Sequence, residues 1–294
     1  MTPRLAEKVA VVTGSGQNIG RAIAIALAEE GAKVVTNSRS PRNPQGTAED
    51  TAKVVRNAGG EATAVFSDVS TMEGGRRLIE DALDVYGAVD ILVNNAGYGA
   101  SASIMEMSEA QWDEMMDLHL KGHFSTTRLA VPVMREQGSG RIINISSRAA
   151  IVGPPGVCAY AAAKAGVMGF TWGLAQELGA HGITVNCIMP TATGFQTPTV
   201  RQLMEQQGTT ASDQPERLPE DVAPLAVFLA TDAAAGVNGQ LFHASGGRFT
   251  LYSRPEPVDY ISRNEPWSLQ ELEAAFSATL SGKLSTPPPA FLSY

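Results

Sequence analysis

Lys8-Val9-Ala10-Val11-Val12-Thr13-Gly14-Ser15-Gly16-Gln17-Asn18-Ile19-Gly20-Arg21 is the stretch whose reading decides the fold. Val9–Val12 is a short apolar run of strand type, and it ends in a turn carrying Gly14, Gly16 and Gly20. Arg21–Glu30 is rich in Ala, Ile and Leu and stops at Gly31, the pattern of a helix closed by glycine. Strand, glycine turn and helix in that order let a backbone approach a phosphate. The glycines remove Cβ atoms, and the helix N-terminus offers N–H groups and a partial positive charge. Taken alone, the turn also fits a tight connection that holds no ligand.

The same alternation continues outward. Strand-like runs recur at Lys33–Thr36, Ala62–Phe66, Ile91–Val93, Arg141–Ile145, Ile183–Ile188 and Gln240–His243. Between them lie helical patterns at Thr47–Asn57, Met72–Tyr86, Ala159–Gly179 and Pro219–Ala230. A further long helix is opened by the capping pair Ser108/Gln111 and runs to about Gln137. Regular βα alternation predicts an α/β fold, a parallel sheet covered by helices on both faces. The pattern leaves no linker, so one catalytic domain is expected over residues 1–247. Within it, residues 191–218 have little periodicity and are expected to form a substrate loop. Residues 248–294 are expected to be an extension packed on the domain or on a neighbouring subunit. The extension has a short helix marked by Ser268 and Glu271.

Composition narrows the function classes. The net charge is -8 with no Lys/Arg-rich run, which disfavours nucleic acid and anionic membranes as partners. Cys158 and Cys187 have no metal-ligand spacing, so neither a zinc site nor a structural disulfide is expected. No signal peptide or membrane span is apparent, and a cytoplasmic location is expected.

Chemistry-bearing residues follow the strands. Asn37-Ser38-Arg39 ends the second strand, where an acid would bind a ribose 2′-hydroxyl; here Ser38 takes that place and Arg39 follows. A guanidinium binds a 2′-phosphate, so NADP is favoured over NAD. Asp68-Val69 follows the third strand and Asn94-Asn95-Ala96-Gly97 the fourth, at the carboxyl ends where open α/β sheets bind ligands. Tyr160 and Lys164 stand four apart on one helix face. A neighbouring ammonium is expected to lower the tyrosine pKa and fit it for general acid/base work. Ser147, 13 residues before Tyr160, is placed to hold a substrate oxygen. Phe195, Met204 and the Tyr98–Met107 stretch read equally as an apolar substrate wall or as ordinary core and loop.

The turn Thr13–Gly20, the Asn94–Gly97 run, Ser147, the Tyr160/Lys164 spacing and Pro190 occur in an order that resembles the short-chain dehydrogenase/reductase family. The resemblance implies a Rossmann-type doubly wound sheet of about seven strands. It implies a Ser147/Tyr160/Lys164 catalytic set, with Lys164 also on the nicotinamide ribose. The turn residues Gly14, Gln17, Asn18, Ile19 and Gly20 would hold the cofactor. Asp68 with Val69, Asn94 to Gly97, Pro190 and Thr193 would complete its pocket. A homotetramer or dimer is implied as well. Asn18 stands for the family's middle glycine, and Asn tolerates the left-handed backbone there. His119 stands for its helix Asn, and its backbone carbonyl would still serve a proton relay. Thr191 stands for the glycine after Pro190. The segments His119–Phe124, Pro219–Thr231 and Gly236–Gly247 resemble the hydroxyacyl-CoA dehydrogenase domain of peroxisomal multifunctional enzymes, a subgroup with an acid at the position of Ser38.

The expected activity is NADP(H)-dependent interconversion of a ketone and a secondary alcohol. The alternatives are an NAD(P)-dependent 3-hydroxyacyl-CoA-type dehydrogenase, a related epimerase or dehydratase, and a nucleotide-binding protein without turnover.

Overall fold

The computed structural model describes residues 3–192 and 217–284. It divides into two units, Met1–Tyr252 and Ser253–Tyr294. The first holds β1 (Val9–Val12), β2 (Lys33–Ser38), β3 (Ala62–Phe66), β4 (Ile91–Asn94), β5 (Gly140–Ile145), β6 (Ile183–Pro190), β7 (Leu241–Ser245) and β8 (Arg248–Tyr252). Its helices are α1 (Asn18–Glu29), α2 (Ala48–Asn57), α3 (Met72–Tyr86), α4 (Glu109–Met116), α5 (Gly122–Gln137), α6 (Ala149–Val152), α7 (Cys158–Leu178) and α8 (Ala223–Ala230).

The strands form one sheet in the order β3-β2-β1-β4-β5-β6-β7-β8. Seven run parallel, and β8 returns antiparallel to β7 with Ser245 opposite Arg248. This eighth strand extends the sheet past residue 247, where the sequence reading began the extension. Arg248–Tyr252 is mostly exposed, so it lacks the apolar run that marks the inner strands.

Strand alternation sorts the core. Ala10 and Val12 face a cluster built from α1, α2 and α8, while Val11 faces one built from α3, α5 and α7. Each inner strand is therefore buried on both faces. The chain leaves β1 toward β2 and β3 and later returns to β4 on the other side. That reversal opens a cleft outside the carboxyl ends of β1 and β4.

The long helix expected after Ser108 is present, with its capping box, but it is not uniform. A π-helical turn, Asp117–Lys121, joins α4 to α5. Such a turn inserts one residue and redirects side chains, and it is often found at functional sites.

The second unit contains α9 (Leu269–Thr279), opened by the expected Ser268/Glu271 capping box. Arg263 pairs with Glu271 at 2.6 Å and lies over the Trp267 ring, and Lys283 pairs with Asp259 at 2.6 Å.

Candidate active site

The nucleotide side is made mainly by backbone. Gly14 has φ +61°, and a Cβ there would stand 2.6 Å from the Ala96 Cα. A Cβ on Gly20 would meet the Asn95 amide at 2.4 Å and the Gly14 carbonyl at 2.5 Å. These glycines let the turn, α1 and the end of β4 close on one another. Asn18 has φ +51°, the left-handed backbone expected of it. The turn is then tied down. The Thr13 hydroxyl accepts the N–H groups of Asn95 and Ala96, both at 2.9 Å. Asn37, 1% exposed, accepts the Gly14 N–H through its side chain and the Ser15 N–H through its carbonyl.

Helices α2, α3 and α4 have side-chain N-caps from Thr47, Thr71 and Ser108. Helix α1 has none at Gln17. A helix start without a cap, behind a glycine turn, fits a pyrophosphate. The turn residues Gly14, Gln17, Asn18, Ile19 and Gly20 thus have the chemistry to hold the phosphates of a dinucleotide.

At the end of β2 the Ser38 hydroxyl accepts the Ala48 N–H and donates to the Ser40 carbonyl. Arg39 is exposed, 4.0 Å from Asp68. Asp68 also accepts the Ser70 hydroxyl at 2.7 Å. Val69 is buried in the core beneath and gives its carbonyl to Ser125.

The catalytic side is made by side chains. Ser147 lies just past β5, and Tyr160 and Lys164 lie on α7. Burial raises the Tyr160 pKa, and the Ser147 hydroxyl acts against it without overcoming it. Lys164 is 3% exposed and donates to the Ile145 carbonyl at 2.7 Å, and its Nζ lies 5.8 Å from the Tyr160 ring centroid. Burial lowers its pKa to about 8. The sequence reading expected Lys164 to lower the Tyr160 pKa; its ammonium lies beside the Tyr160 ring while it donates to the Ile145 carbonyl.

His119 occupies the π turn and is 1% exposed. Its Nε2 meets the Tyr98 carbonyl at 2.8 Å. A carbonyl only accepts, so Nε2 carries the hydrogen and Nδ1 keeps a lone pair, which is buried without a partner. Its ring stands edge-on to Tyr160, centroids 5.0 Å apart. A Cβ on Gly97 would lie 2.5 Å from Nδ1, so this glycine makes room for the imidazole. Burial, reinforced by Lys164, lowers the His119 pKa to about 3.

Beneath the site a polar ladder crosses the sheet. Asn94 donates to Thr127 and Asn144, both at 3.0 Å, and Asn144 donates to Thr171 on α7 at 3.0 Å. Pro190 ends β6, and Thr191 pairs with the His243 Nε2 at 2.9 Å. Thr193, Phe195 and Met204 lie outside the described residues. In the expected apolar stretch, Tyr98 is partly exposed, while Ile104 and Met105 face solvent.

Residues 8–208 match the sequence profile of the family described as short chain dehydrogenase. The chain belongs to that family. It is 41% identical over 248 residues to a 3-oxoacyl-[acyl-carrier-protein] reductase of Synechocystis sp., covering 83% of this chain and 97% of the relative. It is 36% identical over 293 residues to the hydroxyacyl-CoA dehydrogenase ChsB1 of Mycobacterium tuberculosis, covering 96% and 91%. The crystal structure of a short chain dehydrogenase from Mycobacterium avium superposes with a TM-score of 0.84 at 35% identity, covering 97% of this chain and 98% of that one. This short-chain dehydrogenase is therefore an NAD(P)-dependent oxidoreductase of the CH–OH group, interconverting a ketone and an alcohol.

Sequence reasoning did not assign Asn37, Thr13 or Asn144 a role. Thr13 and Asn37 lie within quoted motifs, but their bonds join segments 22 or more residues apart, a separation that local pattern does not report.

Proposed function

We propose that the enzyme reduces a ketone, or oxidises the matching secondary alcohol, with NADP(H) as its preferred cofactor. The observation that carries this reading is the meeting of Ser147, Tyr160 and Lys164 at the carboxyl end of β5, on the same sheet edge as the uncapped start of α1. The bound nicotinamide supplies or accepts the hydride. Ser147 orients the substrate oxygen and shares a hydrogen bond with Tyr160. Tyr160 gives its phenolic proton to the forming alkoxide, or takes it in the reverse direction. Lys164, buried and held at Ile145, sets the electrostatics beneath the phenol and would hold the cofactor ribose. His119 is a positioning residue that packs edge-on against Tyr160 and offers its backbone carbonyl to the proton path.

Asn94, Asn95, Ala96 and Gly97 would wall the nicotinamide side, with Pro190 at the end of β6 and, by the family resemblance, Thr193. Asp68, with the backbone of the buried Val69, would meet the adenine. Arg39 pairs with a 2′-phosphate, for which Ser38 leaves room. A second reading, a 3-hydroxyacyl thioester as substrate, is favoured by the ChsB1 match, which extends over most of the C-terminal unit. The enzyme is read as a cytoplasmic tetramer or dimer. Among the described residues no helix is long and apolar enough to cross a membrane.

The test is a carbonyl panel read at the NADPH absorbance band, with Tyr160→Phe alongside. Turnover should fall about 10²- to 10⁴-fold in the variant. Equal turnover by both proteins would exclude Tyr160 as the acid/base.

A further inference from the structure

Two glycines far apart in the sequence bring two segments of the nucleotide side into backbone contact. Gly16 belongs to the turn after β1, and Gly46 lies in the loop of residues 39–47 between β2 and α2. A Cβ on Gly16 would stand 2.8 Å from the Gly46 carbonyl oxygen and 2.9 Å from the Thr47 carbonyl carbon. A Cβ on Gly46 would run into the Gly16 carbonyl, and the φ of Gly46 is +129°, a backbone that side chains rarely allow. The loop therefore rests on the turn with no side chain between them. Thr51, on α2, adds a second tie: its hydroxyl donates to the Ser15 carbonyl at 2.7 Å.

The loop is also braced within itself. The Ser38 hydroxyl closes its base by accepting the Ala48 N–H at 3.0 Å and donating to the Ser40 carbonyl at 3.1 Å. The Ser40 hydroxyl accepts the Arg42 N–H at 3.1 Å, and the Gly46 N–H donates to the Asn43 carbonyl at 3.1 Å. Thr47 and Asp50 cap α2 reciprocally. Arg39 begins this loop. An arginine on a loose loop would lose much of what it gains from a phosphate, because fixing backbone costs free energy of the same order as a charge-assisted hydrogen bond supplies. A loop seated in advance avoids that loss.

We infer that Gly46 is a positioning residue for cofactor choice. Its contact with Gly16 seats the 39–47 loop on the phosphate turn, so the segment that would meet the pyrophosphate and the segment that carries Arg39 form one unit. Discrimination between NADP(H) and NAD(H) then depends on this seat as well as on the guanidinium. The inference rests on the reading of Arg39 as the partner of a 2′-phosphate. Thr51 is 0% exposed, so it acts on a cofactor only through the turn and loop that it helps to join.

The test is fluorescence titration of the full chain with NADPH and with NADH. Wild type should bind NADPH more tightly. With Arg39 intact, Gly46→Ala should lower the ratio of the two affinities about tenfold, and Thr51→Val about threefold. Thr51→Ser keeps the hydroxyl and should keep the wild-type ratio. An unchanged ratio in Gly46→Ala and Thr51→Val overturns the seat, even where both affinities fall together as a merely structural role would have it. Where Gly46→Ala does not fold, as judged by circular dichroism, the two Thr51 variants decide in the same way. If wild type binds both cofactors equally, the reading of Arg39 fails on its own. Hydrogen exchange of the free protein then decides the seat. Amides of residues 39–47 should exchange about tenfold faster in Thr51→Val than in wild type or Thr51→Ser, and equal rates overturn it.

Discussion

The two halves of the cleft are built by opposite means. Around β1, β2 and α1 the determining feature is the absence of side chains. Gly14 and Gly20 leave no space for a Cβ, and α1 starts without a cap. Around β4, β5 and α7 it is the presence of polar side chains, buried and paired from Asn94 through Asn144 to Thr171, with Lys164 held at Ile145. A nucleotide phosphate is met well by N–H groups that many sequences supply, provided nothing blocks them. A proton must be moved at one atom, so the reacting side needs particular groups in fixed positions. The nucleotide half should therefore be sensitive to added atoms and the catalytic half to removed ones.

The largest effect is expected on the nucleotide side. Gly14→Ala puts a Cβ 2.6 Å from Ala96 on a backbone with φ +61°. It should cost about 3 kcal/mol or more in urea unfolding and abolish measurable cofactor binding. Unchanged binding of NADPH by this variant would refute the account of the turn. Next comes deletion on the other side. Asn144→Ala strands the Asn94 amide and removes the bond to Thr171, both at 3.0 Å. The expected loss is about 2 kcal/mol of stability, with turnover falling further than cofactor affinity.

Acid should reach the catalytic half through its histidines. Burial holds His119 at about 3 and His243 at about 4, and keeps His123 well below the ordinary value. An unfolded histidine titrates near ~6.5, so between that pH and about 4 the unfolded chain binds protons that the fold refuses. Stability therefore rises with pH across this window and is lost as pH falls, by about 1.4 kcal/mol per pH unit for each imidazole. Urea titrations at pH 7 and pH 5 that give equal stabilities would contradict it. The smallest effect belongs to Arg39, exposed and 4.0 Å from Asp68. Arg39→Ala should weaken NADPH by about tenfold and NADH little, read by fluorescence titration. Equal losses for both cofactors would remove its role in choosing between them.

The sequence by itself determined the βα alternation, the glycine turn, the capping boxes at Ser108 and Ser268, and the candidacy of Ser147, Tyr160 and Lys164. All of these are written in neighbouring residues, because helix and strand periods and turn chemistry act over a few positions. It did not reveal β8, which carries no buried apolar run, or the π turn at Asp117–Lys121. Only the tertiary structure decided that Gly97 makes room for His119, that Asn37 holds Gly14, and that burial raises the Tyr160 pKa. Those facts depend on through-space distance and desolvation between segments far apart in the chain, and neither quantity exists until the chain has folded.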